Sequence, residues 1–232
     1  MTETIIAIDV RPSTNELWLL TRDPIGVGRL YIVNTGTAAA TLTATLDDDP
    51  QDTTAPYSSL SLAVNYGLDF NPLGAVALRI HGSDGSNLRL ATPTNGLVTT
   101  DGALTIPASP DIVAAAYTNS FLAPPGVTLT TTLFGIDAVT GSLYTQNPPN
   151  NGTLNLVGAL SAAFTFDASG SFDIAGGNNG LALAILTRTI GNPLAPEAFS
   201  RLFRVNLTTG AATEIGTGIG GPPVRGLAIR VR

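Results

Sequence analysis

Three aspartates recur at equivalent points of similar short segments: Asp9 in AIDVRP, Asp69 in GLDFNP and Asp173 in SFDIAG. If these segments are equivalent strands of a repeated fold, symmetry brings the three carboxylates together near one axis. Like charges held that close repel one another unless they are protonated or neutralised. A hard cation such as Ca²⁺, which binds through oxygen atoms, meets that need. The three aspartates are therefore candidate metal ligands, and Ca²⁺ is the candidate ion.

A second interpretation of the same aspartates needs no ion. Each carboxylate is followed by a turn, and aspartate side chains commonly accept hydrogen bonds from backbone N–H groups at such turns. Two further copies of the segment carry Ala116 and Ala228 at the aspartate position, so the fold does not require a carboxylate there. Turn-locking and ion binding both remain open from the sequence.

A predicted hairpin carries weaker candidates for ligand binding. Arg79, Asn87 and Arg89 lie close together along it and have the donors to bind a carboxylate or a sugar. Alternatively, Asn87 caps the turn and the arginines cover apolar neighbours.

The inventory of reactive residues is small. His81 is the only histidine, cysteine is absent, and all eleven basic residues are arginines. Thiol, Schiff-base and two-histidine metal chemistry are thereby excluded, and we assign no catalytic residue. The acidic run at 47–52 (DDDPQD) lacks the ligand spacing of a calcium loop and is predicted to be a solvated connection.

The candidate residues belong to a repeat. A short apolar segment that ends in a turn recurs at intervals of about 47 to 60 residues, near the roughly 40 to 50 residues of known propeller repeats. Its five copies are residues 7–12, 67–72, 114–119, 171–176 and 226–230. A strand, a hairpin turn and a threonine-rich strand follow each of the first four copies, so each repeat holds about four strands.

The pattern predicts an all-β protein. The apolar runs are short, alternate with period two, and are rich in β-branched and aromatic residues. The 25 glycines and 16 prolines interrupt any longer element. We predict a single β-propeller domain over residues 1–232, with four four-stranded blades and one C-terminal strand of a fifth, incomplete or seam blade. Either a four-bladed ring carries an extra strand, or a five-bladed ring lacks part of one blade.

The fifth copy of the segment is a single predicted strand at the seam, the place where the last repeat meets the first. The strand comprises residues 224–231, which begin at Val224 and end at Val231, and no later strands follow it. An unpaired strand edge favours pairing with another chain, so self-association through this segment is expected.

Several stretches resemble the bacterial family catalogued as domain of unknown function 4394 (DUF4394). The most specific is LYTQNPPNNGTLNLVGAL at 143–160; shorter matches include IDVRP at 8–12, DFNP at 69–72, SDGSNLRL at 83–90, VAAAYTN at 113–119 and FDIAGG at 172–177. The resemblance implies a secreted or surface-associated bacterial protein of no established activity. The first residues show no signal peptide pattern.

Charge and hydropathy limit the partners. The net charge is −6 and the arginines are scattered, so nucleic acid is not an expected partner. No apolar run approaches the ~20 residues of a membrane span. We expect a non-enzymatic extracellular or surface scaffold that binds an unidentified protein or glycan. The alternative is a Ca²⁺-dependent hydrolase of the lactonase or phosphatase kind, with a channel cation at Asp9, Asp69 and Asp173.

Overall fold

Four antiparallel sheets surround a common axis, in a computed structural model that describes residues 2–53, 55–73, 77–105, 110–160, 166, 169–192 and 195–230. The predicted all-β propeller with four four-stranded blades is confirmed. Its only helices in the described residues are two single-turn 3₁₀ helices, Pro93–Asn95 and Pro149–Asn151. None of the described helices has the length and apolar character required to cross a bilayer.

The first two blades come from the N-terminal half. Blade 1 consists of β1 (Thr4–Arg11), β2 (Glu16–Arg22), β3 (Gly28–Val33) and β4 (Ala40–Thr45). Blade 2 consists of β6 (Tyr66–Phe70), β7 (Leu78–Gly82), β8 (Asn87–Leu90) and β9 (Leu97–Thr100), and the two-residue strand β5 (Asp47–Asp48) pairs in parallel with β9 at its outer edge.

The other two blades follow in the same order. Blade 3 consists of β10 (Ile112–Tyr117), β11 (Leu133–Asp137), β12 (Ser142–Gln146) and β13 (Leu154–Ala159). Blade 4 consists of β14 (Gly170–Ile174), β15 (Ala182–Asn192), β16 (Ala195–Val205) and β17 (Ala212–Ile219). Each blade is a meander in which consecutive strands are neighbours.

The first strand of each blade lies nearest the axis. β1 packs against β6, β6 against β10, and β10 against β14. Every residue of β6 and β10 is buried, whereas β17 at an outer edge is largely exposed. Burial on both faces explains why β10 reads as a continuous apolar run, IVAAAY, rather than as an alternating one.

The C-terminal segment fills the gap between blade 4 and blade 1. The N–H of Leu227 donates to the Ser171 Oγ of β14 at 2.7 Å, and Gly226 packs against Ile8 of β1 so closely that a methyl group there would lie 2.7 Å from the Ile8 side chain. Residues 223–230 form no ladder with a neighbouring strand. The segment therefore takes the fifth position around the axis as a single chain, held by side chains; Val231 lies outside the described residues.

Neighbouring blades also touch at their outer rims, where glycine allows the contact. Gly152, just before β13, has φ +69° and lies against the linker that leaves blade 2. A methyl group on Gly152 would lie 2.1 Å from the Ala103 carbonyl oxygen. Gly96 occupies the equivalent position before β9, and Ala38 before β4 has φ +59° but is exposed. Ala38 is exposed, so its methyl group is not packed against a neighbouring blade.

Replacing Gly152 with alanine should lower the free energy of unfolding by about 2 to 5 kcal/mol, because the change combines a left-handed backbone with a clash against backbone atoms. Gly141→Ala is the matched control: Gly141 has φ +59° but nothing within 4 Å of the added methyl group. It should cost about 1 to 2 kcal/mol. Denaturant unfolding measures both, and equal losses would show that blade contact adds nothing.

Candidate functional site

The three repeat aspartates meet at one end of the central channel. Asp9 lies in β1, Asp69 in β6 and Asp173 in β14, each in the last part of an inner strand. One carboxylate oxygen from each lies within 4.8 Å of the other two. All three side chains are buried, with at most 4% exposed. The structure thus brings together the residues that the repeat pattern singled out.

Two of the three carboxylates connect neighbouring positions of the ring. Asp9 Oδ2 accepts a hydrogen bond from the Phe70 N–H of blade 2 at 2.8 Å. Asp173 Oδ2 accepts one from the Ile229 N–H of the C-terminal segment. Phe70 follows Asp69 and Ile229 follows Ala228, so each aspartate binds the backbone just after the equivalent residue of the next copy. These bonds cross between copies and do not lock the turn that follows each aspartate.

The remaining oxygens of the same two aspartates bind locally. Asp9 Oδ1 accepts from the Val10 N–H at 2.6 Å, and Asp173 Oδ1 accepts from the Ile174 N–H at 2.6 Å. Around the ring, the copy before Asp9 carries Ala228 at the equivalent position, and the copy before Asp173 carries Ala116. An alanine side chain cannot accept a hydrogen bond from the N–H of Val10 or Ile174, so each aspartate accepts the N–H of the residue that follows it.

Asp69 differs from the other two. Its neighbour's N–H, that of Phe70, is already bonded to Asp9. The donor that symmetry offers it is the Tyr117 N–H, which lowers the pKa of Asp69 without meeting the geometry of a hydrogen bond. Both Asp69 carboxylate oxygens are buried without a hydrogen-bond partner. An orphaned buried carboxylate is costly.

Burial raises the pKa of all three groups, and repulsion by a neighbouring carboxylate adds to the rise for Asp9 and Asp69. Burial raises the pKa of Asp9 and of Asp69 well above the usual value, and the nearby carboxylates raise both further. Burial also raises the pKa of Asp173, to about 6, although two backbone N–H groups counteract it. Without a neutralising group, the cluster disfavours full ionisation.

A small cavity opens onto this cluster from one face of the ring. It has a volume of about 290 Å³ and is bordered by Asp9, Asp173 and Ile229. The rest of its polar wall is neutral and rich in oxygen: Ser13, Thr14, Asn15 and Ser120. The cavity gives water and small solutes a route towards the carboxylates.

The hairpin candidates form a contact between blades 2 and 3. Arg79 donates through Nη1 to Asn87 Oδ1 at 2.9 Å and to Asp101 Oδ2 at 2.6 Å, and through Nη2 to Asn150 Oδ1 at 2.6 Å. Asn87 Nδ2 donates to the carbonyls of Gly102 and Pro149. Asn87 and the two terminal nitrogens of Arg79 thus bind polar partners, whereas the buried Arg79 Nε has none.

Arg89 is more accessible than its two neighbours. It donates through Nε and Nη2 to the two carboxylate oxygens of Asp101, and its side chain is 25% exposed. It borders a cleft of about 530 Å³ between blades 2 and 3, together with Tyr117, Asn150 and Asn151. Of the three hairpin candidates, Arg89 is the one best placed to meet a ligand.

Sequence reasoning missed two residues of this contact. Asp101 carries the charge that pairs with both arginines, and Asn150 binds Arg79 across the blades. Asn150 belongs to the conspicuous NPPNNG motif, which was the available signal. Asp101 had none, because its role depends on which side chains the fold brings to it.

The other sequence candidates serve the fold. His81 is buried, and burial together with Arg79 lowers its pKa to about 3. The acidic run forms β5 and then clamps blade 2: Asp49 Oδ2 accepts from Thr99 Oγ1, and Asp52 Oδ2 accepts from the Thr100 N–H. The run is therefore a structural connection rather than a freely solvated loop.

A family comparison identifies one match. The family described as "Domain of unknown function (DUF4394)" matches residues 1–228, which confirms the resemblance seen in the sequence. A comparison with curated proteins finds no match.

The matching solved structures are distant in sequence and longer than this chain. They include an auxiliary nutrient binding protein from Bacteroides thetaiotaomicron (11% identity, TM-score 0.43, covering 79% of this chain and 45% of that one). A putative 6-phosphogluconolactonase from Bacteroides uniformis has 14% identity and TM-score 0.40, covering 90% and 56%. An alpha-L-arabinanase from Penicillium chrysogenum, complexed with arabinobiose, has 13% identity and TM-score 0.41, covering 91% and 60%. The chain spans about half the length of these proteins.

Replacing Arg79 with methionine should lower the free energy of unfolding by about 3 to 5 kcal/mol, because it breaks a buried ion pair. The Arg79 and Asp101 side chains are only 4% and 7% exposed. Arg201→Met is the control, since the Arg201–Glu214 pair is 41% and 30% exposed and should contribute at most about 1 kcal/mol. Denaturant unfolding compares the two, and similar losses would contradict a blade-joining role for Arg79.

Proposed function

Since the chain belongs to the DUF4394 family of domains of unknown function, we propose its function from its own geometry: it is a non-enzymatic propeller scaffold that binds a small, oxygen-rich ligand. The observation that carries this proposal is the cleft between blades 2 and 3. Its volume of about 530 Å³ falls within the roughly 300 to 1,000 Å³ of small-molecule sites.

The lining of the cleft suits hydroxyl and carboxylate groups. The Arg89 guanidinium uses Nε and Nη2 for Asp101, which leaves Nη1 for a ligand. The side chains of Asn150 and Asn151 border the same space and supply amide groups of both polarities. Asp101 holds Arg89 in a fixed orientation, so a ligand meets a preorganised donor.

The local charge favours an anionic ligand over a cationic one. Two arginines, Arg79 and Arg89, share the single carboxylate of Asp101, so these three groups carry one net positive charge, which the nearby carboxylate of Asp49 offsets in part. A carboxylate bound by Arg89 would gain a charge-assisted hydrogen bond, which is about twice as strong as a neutral one. A sugar acid would use both the arginine and the amides.

The aspartate cluster supports binding rather than hydrolysis. A channel cation that activates water must also reach the bond that is broken. Asp69 is only 1% exposed, and Asp9 and Asp173 each accept two backbone hydrogen bonds. These carboxylates are arranged to hold the ring, and the accessible polar cleft lies elsewhere, between blades 2 and 3.

The proposal also covers larger binding partners and the place where the protein acts. A ring with a ligand cleft fits a module that captures a glycan or protein at a cell surface or outside the cell. Self-association through residues 224–231 also stays a proposal. The described N–H groups of Val224, Leu227 and Ile229 donate within the chain's own ring, so association would use the outward edge of the segment.

Binding of D-glucuronate tests the cleft, with D-glucose as the matched ligand that lacks the carboxylate. Titrations followed by amide NMR should shift signals of Asn150 and Asn151 with glucuronate, and less with glucose. Arg89→Gln should weaken glucuronate binding about tenfold or more, because one charge-assisted hydrogen bond is lost.

Arg201→Gln is the control for that experiment, since Arg201 is also paired with a carboxylate but lies on blade 4; it should bind as the unmodified chain does. No shift with either ligand, or equal binding by Arg89→Gln, would contradict the proposed cleft. Turnover of a lactone or phosphate ester in the presence of Ca²⁺, lost on Asp69→Asn, would contradict the non-enzymatic part.

A further inference from the structure

We propose that Asp9, Asp69 and Asp173 form a calcium site that ties together blades 1, 2 and 4 at the channel end. This site is separate from the ligand cleft, and its role is structural.

The distances between the carboxylates suit one ion. Three oxygens that lie within 4.8 Å of one another are all within about 2.8 Å of a common point, close to the roughly 2.3 to 2.6 Å of calcium–oxygen bonds. Small side-chain rotations would bring all three into bonding distance. The geometry therefore needs no backbone movement to hold the ion.

The orphaned carboxylate of Asp69 is the independent sign of a ligand. Both of its oxygens are buried without a hydrogen-bond partner, and the side chain is 1% exposed. Asp9 and Asp173, in contrast, are oriented by backbone N–H groups. A proton shared within the cluster would satisfy one oxygen of Asp69, whereas a cation attracts the carboxylate as a whole.

Among the residues that the structure describes, no positive side chain pairs with the cluster. Arg79 lies directly opposite Asp69 in the β6–β7 register, but its terminal nitrogens bind Asn87, Asp101 and Asn150. None of the ion pairs among the described residues involves the three clustered aspartates. The arginine that could have balanced Asp69 is thus committed to the contact with blade 3.

The surroundings can complete the coordination shell. Calcium takes about six to eight oxygen ligands, water among them. The wall of the cavity of about 290 Å³ that borders Asp9 and Asp173 combines apolar side chains with neutral hydroxyl and amide groups, and the polar groups can order water around an entering ion. The backbone N–H bonds to Asp9 and Asp173 use other lone pairs of their oxygens, so both interactions are compatible.

An ion at this point would strengthen the part of the ring where the C-terminal segment is not held by strand pairing. Asp173 holds the C-terminal segment through the Ile229 N–H, and Asp9 holds blade 2 through the Phe70 N–H. An ion shared by both aspartates and Asp69 would connect the seam to complete blades on either side. The segment at the fifth position, which strand pairing does not hold, would be connected to the ion through Asp173.

Thermal unfolding of the chelator-treated chain at pH 7.5, with and without Ca²⁺, tests the site. At a hundredfold excess of free Ca²⁺ over its dissociation constant, the midpoint should rise by about 5 to 10 °C, because the ion binds only the folded ring. Isothermal titration should give one Ca²⁺ per chain. Absence of both the rise and the binding would overturn the proposal.

Asp69→Asn should abolish the Ca²⁺-dependent rise. In chelator its midpoint should be no lower than that of the unmodified chain, because one of three repelling charges is removed at constant shape. A Ca²⁺-dependent rise that persists in Asp69→Asn, or a clearly lower midpoint in chelator, would contradict the site.

Asp47→Asn is the matched control, since Asp47 is an exposed member of the acidic run; it should keep the full rise. Loss of the rise in this variant would place the ion in the acidic run instead. Anomalous diffraction from crystals of the unmodified chain grown with Tb³⁺ gives a readout that needs no variant. An ion within about 2.6 Å of the Asp69 carboxylate supports the proposal, and an ion only elsewhere overturns it.

Discussion

The inner strands converge on one axis, and this convergence governs both the packing and the chemistry of the ring. β1, β6, β10 and β14 pack against one another in succession, so equivalent residues of successive repeats become neighbours. Apolar side chains at most of these positions gain burial from the arrangement. Charged side chains at the same positions are brought close together and repel one another unless they are protonated or neutralised. Asp9, Asp69 and Asp173 are in this situation.

The three aspartates differ in the hydrogen-bond donors that they find around the ring. Two aspartates accept N–H groups from the next copy and from their own, because the copy before each carries alanine. Asp69 lies between Asp9 and Ala116 in the ring order, and both of its carboxylate oxygens are left without a hydrogen-bond partner. The departures from perfect repetition, Ala116 and Ala228, thus explain why Asp9 and Asp173 each find two N–H donors whereas Asp69 does not.

Contacts between blades serve the fold and leave a surface for ligands. Arg79 and Asn87 join blade 2 to blade 3 through Asn150 and Pro149, and Gly152 lets the outer rims approach. The same contact leaves a cleft in which Arg89 is partly exposed. Stability and the proposed binding therefore draw on one cluster, in which the buried Arg79 holds the blades and the partly exposed Arg89 borders the cleft.

The sequence alone determined the strand pattern, the four repeats and the residues that stand at equivalent points of them, because period-two alternation and repeat spacing are local properties of the chain. It also indicated that the three aspartates would meet. Only the tertiary structure decided which donors each carboxylate finds, that Asp69 finds none, and that Asp101 joins Arg79 to Arg89. Those outcomes depend on side chains from distant segments approaching within a few ångströms, and no local pattern encodes such distances.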